Sequence, residues 1–138
     1  MMAVTDIRKE LIGDQPQKRA KVLFMDDRSK RIHAAIEKYA DADLTIVTNV
    51  IECLRFLSNE DWDLVLLDHD LGGKEFVDPD DTTCGMQVIR YLEKTAWPPE
   101  KRKPIFLIHS SNVFAACAMQ NRLQENGYRV ERERFVYD

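Results

Sequence analysis

The sequence predicts an α/β domain: a doubly wound, five-stranded parallel sheet with helices on both faces and strand order 2-1-3-4-5. Three observations predict it. From Lys21 onward, short apolar runs alternate with amphipathic stretches of helical period, and strict alternation of strand and helix requires parallel crossovers. The runs are apolar at consecutive positions, as strands covered on both faces must be. Three of them end abruptly in acidic residues, histidine or serine, at the strand ends where open α/β sheets bind their ligands.

Taken in order, residues 1–19 are polar, mixed in charge and interrupted by Pro16. They are expected to be an extension carrying at most one short helix, at 4–12. The domain proper is expected to span residues 20–138. Residues 21–25 form the first strand and end in Asp26-Asp27. A helix over 28–40 should bury Ile32, Ala35, Ile36 and Tyr39, with Asp27 or Ser29 as its cap. A strand at 44–47 leads to Thr48-Asn49, which should cap a helix whose apolar residues include Val50, Ile51, Leu54 and Leu57. The strand at 64–67 is the most apolar and runs into Asp68-His69-Asp70-Leu71-Gly72-Gly73. An acidic loop over 74–83 holds too many turn formers for a regular element; it reads either as a cover hinged at Gly72-Gly73 or as a solvated insertion. A helix over 84–94 turns Val88, Ile89 and Leu92 inward, and Trp97-Pro98-Pro99 stops it. The strand at 104–108 ends in His109-Ser110-Ser111-Asn112. A helix over 113–125 closes at Gly127, and 128–136 supplies the last strand.

Composition narrows the function classes. Hydrophobic residues are 44% and charged residues 32% of 138, a globular balance that one domain of this size can turn into a core without staples. The net charge is −4, from 20 basic and 24 acidic residues, which excludes the broad basic surface that duplex nucleic acid needs. No apolar run reaches membrane-spanning length, and the first residues lack the apolar stretch of a secretory signal, so a cytoplasmic location is expected. Cys53, Cys84 and Cys117 form no metal or disulfide pattern and are expected to be buried or half-buried. The basic clusters at 18–21 and 101–103 precede strands, so they belong at the opposite end from the polar strand ends.

The Asp-Asp pair after the first strand and the aspartate after Asp63-Leu-Val-Leu-Leu67 make most of residues 21–136 resemble the receiver domain of bacterial response regulators. That resemblance implies a divalent ion, Mg²⁺ or Mn²⁺, held by Asp26, Asp27 and Asp68, with Asp68 at the phosphoacceptor position. Two features depart from it. His109 stands where a receiver carries Ser or Thr, and the last strand lacks the receiver's lysine before proline. The Leu67-Asp68-His69-Asp70-Leu71 signature and the added histidine are similar to a narrower family, the cyclic-phosphate-processing receiver-like domains, associated with RNA repair. This resemblance implies a receiver- or flavodoxin-like scaffold and a phosphoesterase acting on a 2′,3′-cyclic or terminal phosphate of a nucleotide or RNA end.

Opening such a ring requires a base for water, an acid for the leaving oxygen and positive charge near the phosphoryl oxygens. Two imidazoles can share acid and base duty near neutral pH, so His69 and His109 are expected to flank one phosphorus, with Asp68 and Asp70 assisting. Ser110, Ser111 and Asn112, at a helix start, and Arg28 are the expected phosphate contacts. Each cluster also has a plain reading: Asp26-Asp27 as turn and cap, and His69 or His109 as a satisfied structural histidine. Two rival functions remain: a receiver phosphorylated on Asp68, and a degenerate receiver serving as an interaction module. The sequence leaves the oligomeric state open.

Overall fold

A computed structural model describes residues 19–71, 81 and 83–133. The elements follow in the order β1 (Lys21–Met25), α1 (Ser29–Lys38), β2 (Asp43–Val47), α2 (Val50–Asn59), β3 (Leu64–Leu67), α3 (Met86–Lys94), β4 (Ile105–Ile108), α4 (Val113–Glu125) and β5 (Val130–Arg132). The sheet is wholly parallel, in the order β2-β1-β3-β4-β5. The expected short helix at 4–12, the Gly72-Gly73 hinge, most of the acidic loop and the end of the last strand fall outside the described residues.

Alternation along the strands divides the core into two layers. Leu23, Met25, Val65, Leu67, Phe106 and Ile108 pack against α2, α3 and α4 on one face. Val22, Phe24, Leu64, Leu66 and Leu107 pack with Ala35 of α1 and with Tyr39 at its C-cap on the other. β3 and β4 are buried at every position, which explains their unbroken apolar runs.

The helical stripe of α1 differs from expectation. In α1 the buried side is Arg31, Ala35 and Tyr39, while Ile36 is 48% exposed. A stripe spaced by four residues therefore begins on a cation. In α2, Cys53 and Leu57 face the core and Ile51 is 73% exposed. Caps also differ. Neither Asp27 nor Ser29 caps α1; its N-cap position is Arg28, whose N–H donates to Asp26 Oδ1 at 3.0 Å. Asn49 caps α2 as expected, accepting the Glu52 N–H. α3 starts at Met86, and Val88, Ile89 and Leu92 are buried. After α4, Gly127 takes a positive φ of 85°, a conformation that costs a residue with a Cβ.

The far edge of the sheet is tied by charge. Lys21 pairs with Glu60 and Arg102 with Asp63, and Lys101 and Lys103 lie over the rings of Trp97 and Tyr128. The basic clusters are thus anchored at the strand N-termini. Cys53 and Cys84 are buried, but Cys117 is exposed, since it sits on the solvent side of α4.

Gly85 sets the path of the chain after β3. Its N–H donates to the His69 carbonyl at 2.8 Å. A Cβ there would lie 1.9 Å from the Asp68 carbonyl oxygen, which no side-chain rotation relieves. Gly85→Ala should therefore cost about 2 kcal/mol or more in urea unfolding. A loss below a few tenths of that would show that the β3 end does not need this close approach.

Candidate functional site

Strand register decides which site residues meet. Met25 pairs with Leu67, and Leu67 with Ile108. One residue further along each strand, Asp26, Asp68 and His109 stand level and on the α1 face. Their ligand atoms lie within 4.8 Å of one another. All three are buried. His109 stacks on Phe24, with ring centroids 4.8 Å apart and an interplanar angle of 11°.

Arg31 closes this cluster from above. Its Nη1 lies 3.2 Å from both Asp26 Oδ2 and Asp68 Oδ1, and its side chain is 3% exposed. Its Nη2 donates to Ser111 Oγ at 3.0 Å. One guanidinium thus joins α1, β1, β3 and the segment leading into α4. His109 Nε2 lies 3.1 Å from Asp26 Oδ2, completing the donors around that carboxylate. No sequence argument singled out Arg31. The available signal was its spacing of four and eight residues from Ala35 and Tyr39.

His69 follows Asp68, so alternation turns it to the opposite face from His109. Its Nδ1 lies 2.7 Å from Asp70 Oδ1, and the same oxygen accepts Asn112 Nδ2 at 3.3 Å. The two imidazoles therefore belong to different clusters. The expected arrangement, His69 and His109 flanking one phosphorus, is corrected by the register that makes Asp68, not His69, the neighbour of His109. With Nδ1 donating to Asp70, the lone pair of His69 sits on Nε2, which is buried with no hydrogen-bond partner among the described residues.

The expected phosphate contacts are largely engaged within their own loop. Asn112 N–H donates to Ser110 Oγ at 3.1 Å, and Asn112 Oδ1 accepts Ala115 N–H at 3.1 Å. Ser110 and Asn112 thus build the start of α4, and the expected cradle of N–H groups over 111–113 loses its middle member. Ser111 is exposed and holds Arg31. Arg28 is half-buried. Two exposed apolar residues open α4, Val113 at 63% and Phe114 at 80% exposure; nothing in the helical pattern of 113–125 marks them as exposed.

Burial pushes the Asp26 carboxyl up, but the hydrogen bond and charge of His109, the Arg28 N–H and the Arg31 guanidinium outweigh it and hold the group below its ordinary range. Burial lowers His109, with Asp26 opposing only in part. Asp68 goes the other way: burial and then the charge of Asp26 raise it from 3.8 to about 8, against the pull of Arg31. Neither Asp68 oxygen accepts a hydrogen bond among the described residues. Near neutral pH the cluster balances as Arg31⁺ against Asp26⁻, with Asp68 and His109 neutral.

The resemblance implied a metal on Asp26, Asp27 and Asp68. The converging set is instead Asp26, Asp68 and His109, and Asp27 is not part of it. Mg²⁺ favours an all-oxygen shell. A set with one imidazole, already neutralised by a guanidinium in contact with both carboxylates, does not fit it.

Because the fold raises Asp68, it favours the protonated form. That contribution is fully present below about pH 4, the unfolded value, and is lost as pH rises through the folded value of about 8. Asp68→Asn removes the penalty. It should stabilise the protein by about 1–3 kcal/mol at pH 8 and by much less at pH 4 in matched denaturation curves. Equal effects at both pH values would contradict the assignment.

The family model for the cyclic-phosphate processing receiver domain matches residues 21–125. No curated protein matches the chain. Among solved structures, the chain is similar to a CheY-like response regulator receiver domain from Methylobacillus flagellatus, at 16% identity and TM-score 0.56, covering 88% of this chain and 90% of that one. It is also similar to a signal receiver domain from Vibrio parahaemolyticus, at 16% identity and TM-score 0.54, covering 88% and 82%. At that identity the likeness speaks for the fold, whose strand order is the one observed here. No helix among the described residues is long and apolar enough to cross a membrane. The family match over most of the sheet and its rim establishes that this chain belongs to the cyclic-phosphate processing receiver domains.

Proposed function

We propose that the chain is a phosphoesterase acting on a 2′,3′-cyclic or terminal phosphate of a nucleotide or RNA end. The observation that carries this reading is a continuous polar chain around one rim. It runs from His69 to Asp70 and Asn112, passes through the peptide link to Ser111, and continues through Arg31 to Asp68. The chain brings a histidine with an available lone pair, a carboxylic acid kept protonated and a cation to the C-terminal end of β3.

The residues take distinct roles. Asp70 holds the Nδ1–H of His69, so Nε2 takes a proton from the attacking water. The new bond joins the water oxygen to phosphorus, and the bond from phosphorus to one ribose oxygen breaks. Solvent water gives a proton to that oxygen, because Asp68 stands with His109 on the α1 face, across the sheet from His69. The product is a phosphomonoester, and His69 returns its proton to solvent. His109 keeps Asp26 in place rather than touching phosphorus. A divalent ion could reach Asp26 Oδ2 only by displacing Arg31 or His109, and no step is routed through one. Asp68 and His69 are fully buried, so substrate entry requires the rim to rearrange.

A nucleotide also offers a base. Phe114 and Val113 begin the helix whose first residues adjoin Ser111, and an exposed aromatic ring at that place suits base stacking. A second reading has one observation in its favour. Asp68 ends the central strand of a fold whose solved neighbours are receivers, so it is the position a phosphoryl group would take in signalling. Acetyl phosphate treatment followed by mass spectrometry separates the two readings.

His69→Ala should lower kcat on a 2′,3′-cyclic nucleotide about 100-fold or more, while unchanged turnover would contradict the mechanism. Phe114→Ala should raise KM about tenfold with kcat unchanged; an unchanged KM on nucleotide substrates would remove the stacking role. A chain that turns over none of these substrates, yet binds a protein partner, would favour the interaction module.

A further inference from the structure

We infer that Arg31 is a resident cation: its guanidinium occupies the electrostatic position that a divalent ion takes at an acidic receiver rim, so this domain excludes the metal its fold implies. The inference does not depend on the phosphoester reading, since it concerns what the rim binds rather than what it hydrolyses.

Lone-pair accounting carries the argument. A carboxylate oxygen offers about two acceptor sites. Asp26 Oδ1 accepts the Arg28 N–H at 3.0 Å. Asp26 Oδ2 is met by His109 Nε2 at 3.1 Å and by Arg31 Nη1 at 3.2 Å. The oxygen that faces Asp68 is therefore filled, and a metal could bind it only by expelling one of those donors. His109 would have to surrender the same nitrogen that holds Asp26, or rotate out of its stack on Phe24.

Charge points the same way. The Arg31 guanidinium already lies 3.2 Å from a carboxylate oxygen of both Asp26 and Asp68. A divalent ion beside the guanidinium would leave the buried cluster with excess positive charge in a medium that screens poorly. Geometry also explains why the cation is built in. Arg31 bridges Asp26 and Asp68 with one end and reaches Ser111 with the other. It ties three segments that an exchangeable ion would leave loose whenever it departed.

The test is a metal titration, read without activity. Wild-type protein and the Arg31→Ala and Arg31→Lys variants are titrated with MgCl₂ and MnCl₂ by calorimetry, with melting temperature as a parallel readout. Wild type and Arg31→Lys should show no saturable heat and no shift in Tm. Arg31→Ala should bind one ion at least about tenfold more tightly than wild type and gain Tm with added metal. Adding Asp68→Asn to that variant should abolish the gain. If Arg31→Ala is too unstable to isolate, divalent ion during refolding should rescue it, and failure of rescue counts against the inference. Stoichiometric binding by wild type, or binding by none of the proteins, overturns it.

Discussion

Everything at this rim depends on a buried guanidinium shared by two carboxylates. Arg31 has too much charge to be buried alone, and Asp26 and Asp68 would repel each other if left unscreened. Each requirement meets the other. Because the carboxylates come from adjacent strands and the cation from the helix between β1 and β2, the ion contact also fixes how α1 seats on the sheet. The Ser111 contact extends that seating to the start of α4. The rim is thus a tertiary object, assembled from four chain segments that carry no mutual signal along the sequence.

The contact also differentiates the titratable groups. Asp26 gathers donors from three directions and stays ionised. Asp68, level with it and equally buried, receives only the edge of the guanidinium and is pushed up to about 8. Two aspartates in register thereby acquire opposite protonation near neutral pH, the pattern by which neighbouring carboxyls take acid and anion roles. On the other face, His69 gains its orientation from Asp70, itself braced by the cap of α4. The cap of α4 is Asn112, so the same residue shapes the helix start and the imidazole's partner.

The sheet and its order were legible because β1, β3 and β4 are buried on both faces and advertise it as unbroken apolar runs. The site was legible in outline because Asp26, Asp68 and His109 end those runs. What stayed hidden was face. Counting from Leu67 paired with Ile108 shows His109 beside Asp68 and sends His69 across the sheet, but that count needs the register, which comes from pairing rather than composition. Arg31 was hidden for a related reason: an arginine on a helix reads as solvated until the carboxylates that bury it are in place. Ile36 fits the helical stripe by period, yet it faces solvent because the buried side of α1 runs through Arg31 and Ala35.

The most direct measurement is the coupling energy between Arg31 and Asp26, from a double-mutant cycle of Arg31→Met and Asp26→Asn in urea unfolding. If the guanidinium is the pivot of the rim, each single variant should be strongly destabilised and the double variant should recover about 1–3 kcal/mol of the summed loss. Additive effects, with a coupling near zero, would contradict the account.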